Sequence, residues 1–253
     1  MIAGLPGVSE ACAAARDEVD SLLWSRSIRA RASEVARESA LRGARDSAAL
    51  DGADVSMAVL LDGLDASPLS RAVGAAIDIT AEVPRQVDTW QRAPLQVLAR
   101  FHVMAAREFT PDDHLGRPRN DDDVVDPLHI GAPPDWRAVP DRLDALADLL
   151  TRPTQAPAIV VAAIAHGELL ALRPFAWGSG LISRAAVRLV LAARGVDPDL
   201  LGAPEIGMLS LGRTSYVEGI RGYLSGEPGG MADWVTWNAT AIGFGAREMA
   251  SGG

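Results

Sequence analysis

Residues 173–184 read RPFAWGSGLISR, a loop that opens and closes on an arginine and holds two glycines, Gly178 and Gly180. It separates two apolar stretches, 156–172 and 181–194, each long enough for a buried helix. The first tolerates Pro157 in its opening turn, and the second stops at Gly195 with Pro198 just beyond. The first amides of the second helix lack backbone partners and point along its axis, where an anion is favoured. Glycine at 178 and 180 permits positive φ and close backbone approach. Arg173 and Arg184 supply charge on either side, so Arg173, Gly178, Ser179, Gly180 and Arg184 are the candidate anion- or nucleotide-binding residues. GxG by itself is a common loop pattern, and the rest of the chain decides how much this one means.

Around this centre the sequence is mostly α. A long helical segment spans 9–45, with Ser9 as N-cap and Glu10 and Asp17 acidic near its positive end. Residues 46–52, DSAALDG, read as a short helical turn that stops at Gly52. Several helices follow between 55 and 109, punctuated at Ser67-Pro68, Val83-Pro84 and Ala93-Pro94. Residues 110–135 mix turn formers with short apolar pieces, which predicts a small β-hairpin or an irregular flap; a disordered acidic linker is the alternative. Further helices are predicted over 140–150, 214–224 and 231–249. The expected division is an N-terminal helical region, 1–110, and a core, 111–253, carrying the flap (111–135) and the loop (173–184).

Composition narrows the partners. A chain of 253 residues that is 48% hydrophobic buries a proper core. All 24 basic residues are arginine, a pattern given no functional weight. The net charge of −9 argues against a general nucleic-acid binder, because phosphate contacts need a basic surface. The single cysteine, Cys12, excludes an internal disulfide and suggests a reducing compartment. The first residues lack the basic start and continuous apolar stretch of a signal peptide. His166, Gly167 and Glu168 make 156–172 a core helix rather than a membrane span. The expectation is a cytoplasmic protein with no membrane partner.

The loop resembles the HPFx(D/E)GNGRxxR motif of the Fic family, in register at Pro174, Phe175, Gly178, Gly180 and Arg184. The family's histidine seven residues upstream of the loop histidine corresponds to His166, and its flap GxxR-like element to Gly116 through Arg119. Tyr223 and Trp234 fit the family's terminal helices, so the resemblance covers 115–249. It implies a Fic/Fido-type helical bundle with a small β-hairpin flap. Upstream, Ser47, Ala48, Ala49, Leu50, Asp51 and Gly52 resemble the inhibitory pattern (S/T)xxxE(G/N), with aspartate for glutamate. In the family that acid pairs with the last loop arginine, here Arg184, and blocks the nucleotide's γ-phosphate.

The resemblance breaks at the chemistry. The family's loop histidine takes a proton from the target hydroxyl, which then attacks the α-phosphate of ATP. Arg173 stands at that position, and a guanidinium stays protonated at physiological pH. Trp177 replaces the acid that holds Mg²⁺ and offers no oxygen to a hard cation. Ser179 replaces asparagine, and Leu181 replaces the first arginine of GRxxR. Loss of the base alone costs about 10²- to 10⁴-fold. No catalytic residue is therefore assigned, no metal ligand is expected and Mg²⁺ is disfavoured. No cofactor is required, and ATP or another nucleotide remains the candidate ligand.

Three readings follow. One is a non-catalytic protein binding a nucleotide- or phosphate-like anion, or a protein partner that adds to the flap segment 124–130, from Val124 to Ile130. Another is a divergent transferase with an altered donor and little metal use, whose base would have to come from a flap histidine. The third is a structural domain whose pocket is filled by its own side chains, with Trp177 the candidate plug. In the bland view Arg184 only pairs with Asp51 and ties the N-terminal region to the core. His166 reads as a hydrogen-bonded core histidine. His102, His114 and His129 lack metal-ligand spacing. Asp121 through Asp123 read as a solvated turn, and Trp234 with Trp237 as core or interface aromatics.

Overall fold

A computed structural model describes residues 2–252. The described residues form twelve α-helices: α1 (Val8–Trp24), α2 (Arg26–Ala30), α3 (Ala32–Leu50), α4 (Met57–Asp62), α5 (Pro68–Trp90), α6 (Pro94–Ala106), α7 (Val139–Thr151), α8 (Ala158–Leu172), α9 (Ser179–Ala193), α10 (Pro204–Ser210), α11 (Arg213–Leu224) and α12 (Pro228–Ser251). Helices α8 and α9 are antiparallel neighbours at the centre, and both are buried on nearly every face. Helix α5 covers α9 from one side, with α3 packed on α5. Helix α12 packs against α1, α8, α10 and α11 on the other. Buried apolar side chains from Val8 to Met249 join into one core. No helix among the described residues is long and apolar enough to cross a membrane.

Small residues set the closest approaches. A Cβ at Gly207 would collide with the backbone of Ala241, and one at Gly245 with the backbone of Ala203, so α10 and its preceding loop lie directly on α12. Gly167 on α8 leaves room for Tyr223 and for the indole of Trp234, which is fully buried and donates to the Ala163 carbonyl at 2.8 Å.

Two expectations change. The predicted helix over 9–45 begins at Val8 and is broken at Ser25 and Arg31. Ser25 takes an extended backbone (φ −61°, ψ 121°), and its hydroxyl meets that of Ser27 at 3.0 Å. The continuation, α3, runs on through the 46–50 turn. The hairpin is absent: among the described residues, 111–135 form no strand, only turns, irregular backbone and one short 3-10 segment at Asp112–His114, with a second at Trp136–Ala138 just beyond. Five prolines, at 111, 118, 127, 133 and 134, remove the donors a ladder needs. Arginine side chains take the carbonyls that a second strand would have taken.

Candidate functional site

Helix α8 ends at Arg173, which adopts a left-handed backbone (φ 42°), and α9 starts after Gly178, also left-handed (φ 78°). A non-glycine residue in this region is costly and persists only where its surroundings hold it. Arg119 does the holding. Its buried guanidinium donates to the carbonyls of Arg173 (2.9 Å) and Leu172 (3.4 Å), capping the negative end of α8. It also reaches Asp121 O, Asp122 Oδ1 and Pro134 O, so one arginine ties both ends of the flap to the loop.

The Arg173 side chain turns away from the α9 N-terminus. It donates to Gly131 O at 2.7 Å and pairs with Asp126 Oδ2 at 3.0 Å, and it is 4% exposed. Burial lowers this guanidinium from its ordinary value while Asp126 opposes the shift. It stays a cation and serves as a clasp between loop and flap. Val125 N–H donates to Ala176 O at 2.9 Å beside it. Two further arginines from α11 complete the pattern: Arg213 donates to Pro127 O and Arg221 to His129 O at 2.7 Å. The alternate flap carbonyls 127, 129 and 131 are thus each satisfied by an arginine.

Arg184 is fully buried on α9. It donates to Ser47 Oγ (2.7 Å), Ser47 O (2.9 Å), Asp51 Oδ2 (2.7 Å) and Tyr216 OH (3.3 Å). Burial opposes its charge, but Asp51 and Tyr216 outweigh that and raise its pKa. Asp51 is delivered by the end of α3. Ala53 N–H bonds to Ala48 O and Gly52 N–H to Ala49 O, with Gly52 at φ 93°, a Schellman close that only glycine adopts without strain. The carboxylate then rests on α9: a Cβ at Gly180 would lie 2.7 Å from Asp51 Oδ1. Ser179 is buried with its hydroxyl on Phe175 O at 3.2 Å.

His166 is a core residue held on both sides, Nδ1 to Asn238 Oδ1 and Nε2 to Tyr216 OH, each at 2.7 Å. The run Arg184–Tyr216–His166–Asn238 is satisfied with a neutral imidazole protonated on Nδ1, an assignment made from the partners. Burial pushes the His166 pKa down to about 3, Asn238 opposing and Arg184 assisting. His102 stacks on Phe175 (ring centroids 4.3 Å apart), accepts the Gly116 N–H at 3.0 Å, and is pushed down to about 4 by burial. Both pKa values lie below the unfolded value near 6.5, so the unfolded chain takes up protons first as pH falls. Stability is therefore full above about pH 6.5. It falls by about 1.4 kcal/mol per pH unit per histidine as pH drops toward 4. Urea unfolding across pH 4–7 should show this loss, and His102→Gln should make the curve shallower by one proton.

Loop, flap and the end of α3 enclose a cleft of about 390 Å³. It is lined by Ala48, Asp51, Ala53, Ala72, Phe109, Val125, Asp126, Pro127, His129, Trp177 and residues 178–181. Trp177 stacks on Phe109 with centroids 4.0 Å apart, and both line the cleft. Neither Arg173 nor Arg184 lines it. The donor set does not fit Mg²⁺: an indole stands where an oxygen would, and the carboxylates present, Asp51 and Asp126, each pair with an arginine.

Of the residues singled out in the sequence, the structure brings together Ser47, Asp51, Gly180 and Arg184, and places Gly178 and Ser179 at the cleft's rim. Arg173 joins the flap instead. Sequence reasoning missed Asp126, Tyr216, Arg213 and Arg221. It also missed a second buried ion pair, Arg188 with Glu205 (2.7 and 2.8 Å), which also holds Ser39 of α3. Arg188 lies one turn beyond Arg184 on the same helix, and that i,i+4 spacing was the available signal.

Comparison places this architecture. Residues 92–191 match the family model of the Fic/DOC family. No curated protein matches the sequence. Among solved structures, a Fic family protein from Desulfovibrio desulfuricans G20 superposes with a TM-score of 0.76 at 18% identity, covering 98% of this chain and 75% of that one. Fic-1 from C. elegans gives 0.72 at 16%, covering 96% and 71%. A Fic domain containing signaling protein from Bacteroides thetaiotaomicron VPI-5482 gives 0.66 at 15%, covering 96% and 98%. The superpositions show that the chain shares the helical fold of these Fic proteins. The chain is a Fic/Fido-fold protein.

Proposed function

We propose that this chain is a Fic-fold binding protein that has given up ordinary AMP transfer. Its cleft admits a phosphate-like group of a nucleotide to the α9 N-terminus and Arg184 only when Asp51 withdraws. The observation that carries the reading is Arg173. The residue at the base position is a buried cation paired with Asp126, with its hydrogens turned to the flap. It can neither accept a proton nor be spared from the flap. Asp51, resting on Gly180 and bonded to Arg184, occupies the place an anion would take.

The flap reading is weakened by the same geometry. A partner strand adding along 124–130 would need backbone groups that Ala176, Arg213 and Arg221 already engage. The cleft is therefore the favoured site.

A divergent transferase is the second reading, and His129 favours it. This flap histidine lines the cleft with a strained backbone (φ 53°), a feature that often marks a functional position. Incubating the protein with Mg²⁺, labelled ATP and candidate target proteins separates the two. No incorporation of labelled AMP is the expected result. Incorporation that disappears in His129→Gln would replace the binding reading with the transferase one.

A further inference from the structure

Away from the loop and the flap, a groove runs between α3 and α5. Its outer part is a cavity of about 330 Å³ walled by Ala36, Ala40 and Leu41 on α3 and by Ile77, Ala81 and Pro84 on α5. That volume lies at the small end of ligand pockets. Pro84 has no N–H to offer it. Thr80 also lines the cavity, but its hydroxyl donates to Ala76 O at 2.8 Å, back into its own helix. Past Thr80 and Pro84 the groove continues into a second space of about 300 Å³ beside Val83, Val87 and Leu200. The loop that closes this end is fixed from below: buried Asp197 accepts the N–H groups of Leu201 at 2.9 Å and Gly202 at 2.8 Å. Neither space shares a lining residue with the cleft at the α9 N-terminus.

One charge stands in the outer lining. Arg37 is exposed, and the acids beside it on α3 are engaged elsewhere, Glu34 with Arg31 at 3.8 Å and Glu38 with Arg42 at 3.2 Å. No carboxylate lines the outer cavity. An apolar surface left in water is costly, and a reachable guanidinium at its edge favours an anion there. The inner space has the opposite sign. Its Arg188 is buried and paired with Glu205, whereas its Asp199 is exposed, so a second anionic group on the ligand would be repelled at that end. We propose that this groove binds an amphipathic monocarboxylate of the fatty-acid type. Its carboxylate pairs with Arg37, and its chain lies along Ala36, Ala40 and Pro84 toward Leu200.

Calorimetry with hexanoate, octanoate and decanoate, each kept below micelle formation, tests the chain. Affinity should rise about two- to fourfold with each added methylene. The head group is tested with octanoate, 1-octanol, octylammonium and octanedioate. Octanoate should bind tightest, about two- to fivefold above 1-octanol, the scale of one exposed ion pair. Arg37→Ala should bring octanoate down to the level of 1-octanol. Ala81→Phe changes an exposed wall residue, fills the outer cavity, and should abolish binding of every probe with the melting temperature kept. If that variant fails to fold, the head-group comparison in Arg37→Ala decides alone. No binding of any probe, octylammonium or 1-octanol binding as tightly as octanoate, or full binding by Ala81→Phe overturns the proposal. Self-association that Ala81→Phe abolishes, with no probe bound, overturns it too and gives the groove to a second copy of the chain.

Discussion

Replacing Arg184 by alanine is expected to cost about 3–5 kcal/mol of stability, read from urea unfolding. The reason is what the substitution leaves behind. Asp51 would keep a carboxylate only 13% exposed with its ion-pair partner gone, and Ser47 and Tyr216 would lose a donor each. The helix end that carries Asp51 is fixed to the core by that guanidinium, by Arg213 donating to Leu50 O at 3.1 Å, and by the buried Ala48 and Leu50. Because the loss comes from an orphaned charge, removing Asp51 as well should restore part of it. The double variant Asp51→Ala with Arg184→Ala should be less destabilised than the sum of the two singles, with a coupling of about 1–3 kcal/mol. Additive costs would mean that Asp51 and Arg184 act independently.

The second large effect concerns chemistry. Arg173→His alone is expected to leave AMP transfer undetectable. It supplies an imidazole but no oxygen at 177 for a metal, leaves Asp51 on Gly180, and breaks the clasp to Asp126. Adding Trp177→Asp, Ser179→Asn, Leu181→Arg and Asp51→Ala together should raise labelled-AMP incorporation by about 10²-fold or more over the single variant, since a positioned base and a metal each contribute on that scale. Transfer by the single variant at the level of the multiple one would show that the loop lost only its base.

The sequence carried the centre of this molecule well and its periphery poorly. The loop, its two buried helices and the acid at the end of α3 were legible because each follows a local rule: a glycine where φ must be positive, apolar faces all round, and a glycine stop after a helix. The partnership of Asp51 with Arg184 was available only through the family resemblance, since nothing in residues 133 positions apart fixes their contact. His166 was readable as a core residue from its apolar helix, whereas its partners Tyr216 and Asn238 were not.

Of the two forms the sequence allowed for the flap, a small β-hairpin or an irregular segment, the described residues take the irregular one. Its short apolar pieces resemble strands, but prolines remove the donors, and three arginines from α11 and the loop supply donors in their place. Side chains that satisfy backbone groups from distant positions leave no periodic trace. The pairing of Arg173 with Asp126 left no trace for the same reason: an arginine beside a glycine loop suggests an anion, and the aspartate it meets lies in an irregular segment. The breaks at Ser25 and Arg31 are marked by neither proline nor glycine and lie within ordinary helix-forming composition.

The central claim is that Asp51 closes an arginine-based anion site that works without metal. Calorimetric titration of ATP, with and without Mg²⁺, into the unmodified protein and into Asp51→Ala tests it most directly. The account predicts weak or no binding to the unmodified protein, binding at least about tenfold tighter in Asp51→Ala, and the same affinity in both conditions of metal. Tight binding by the unmodified protein that requires Mg²⁺, or no binding by a folded Asp51→Ala variant, would contradict it.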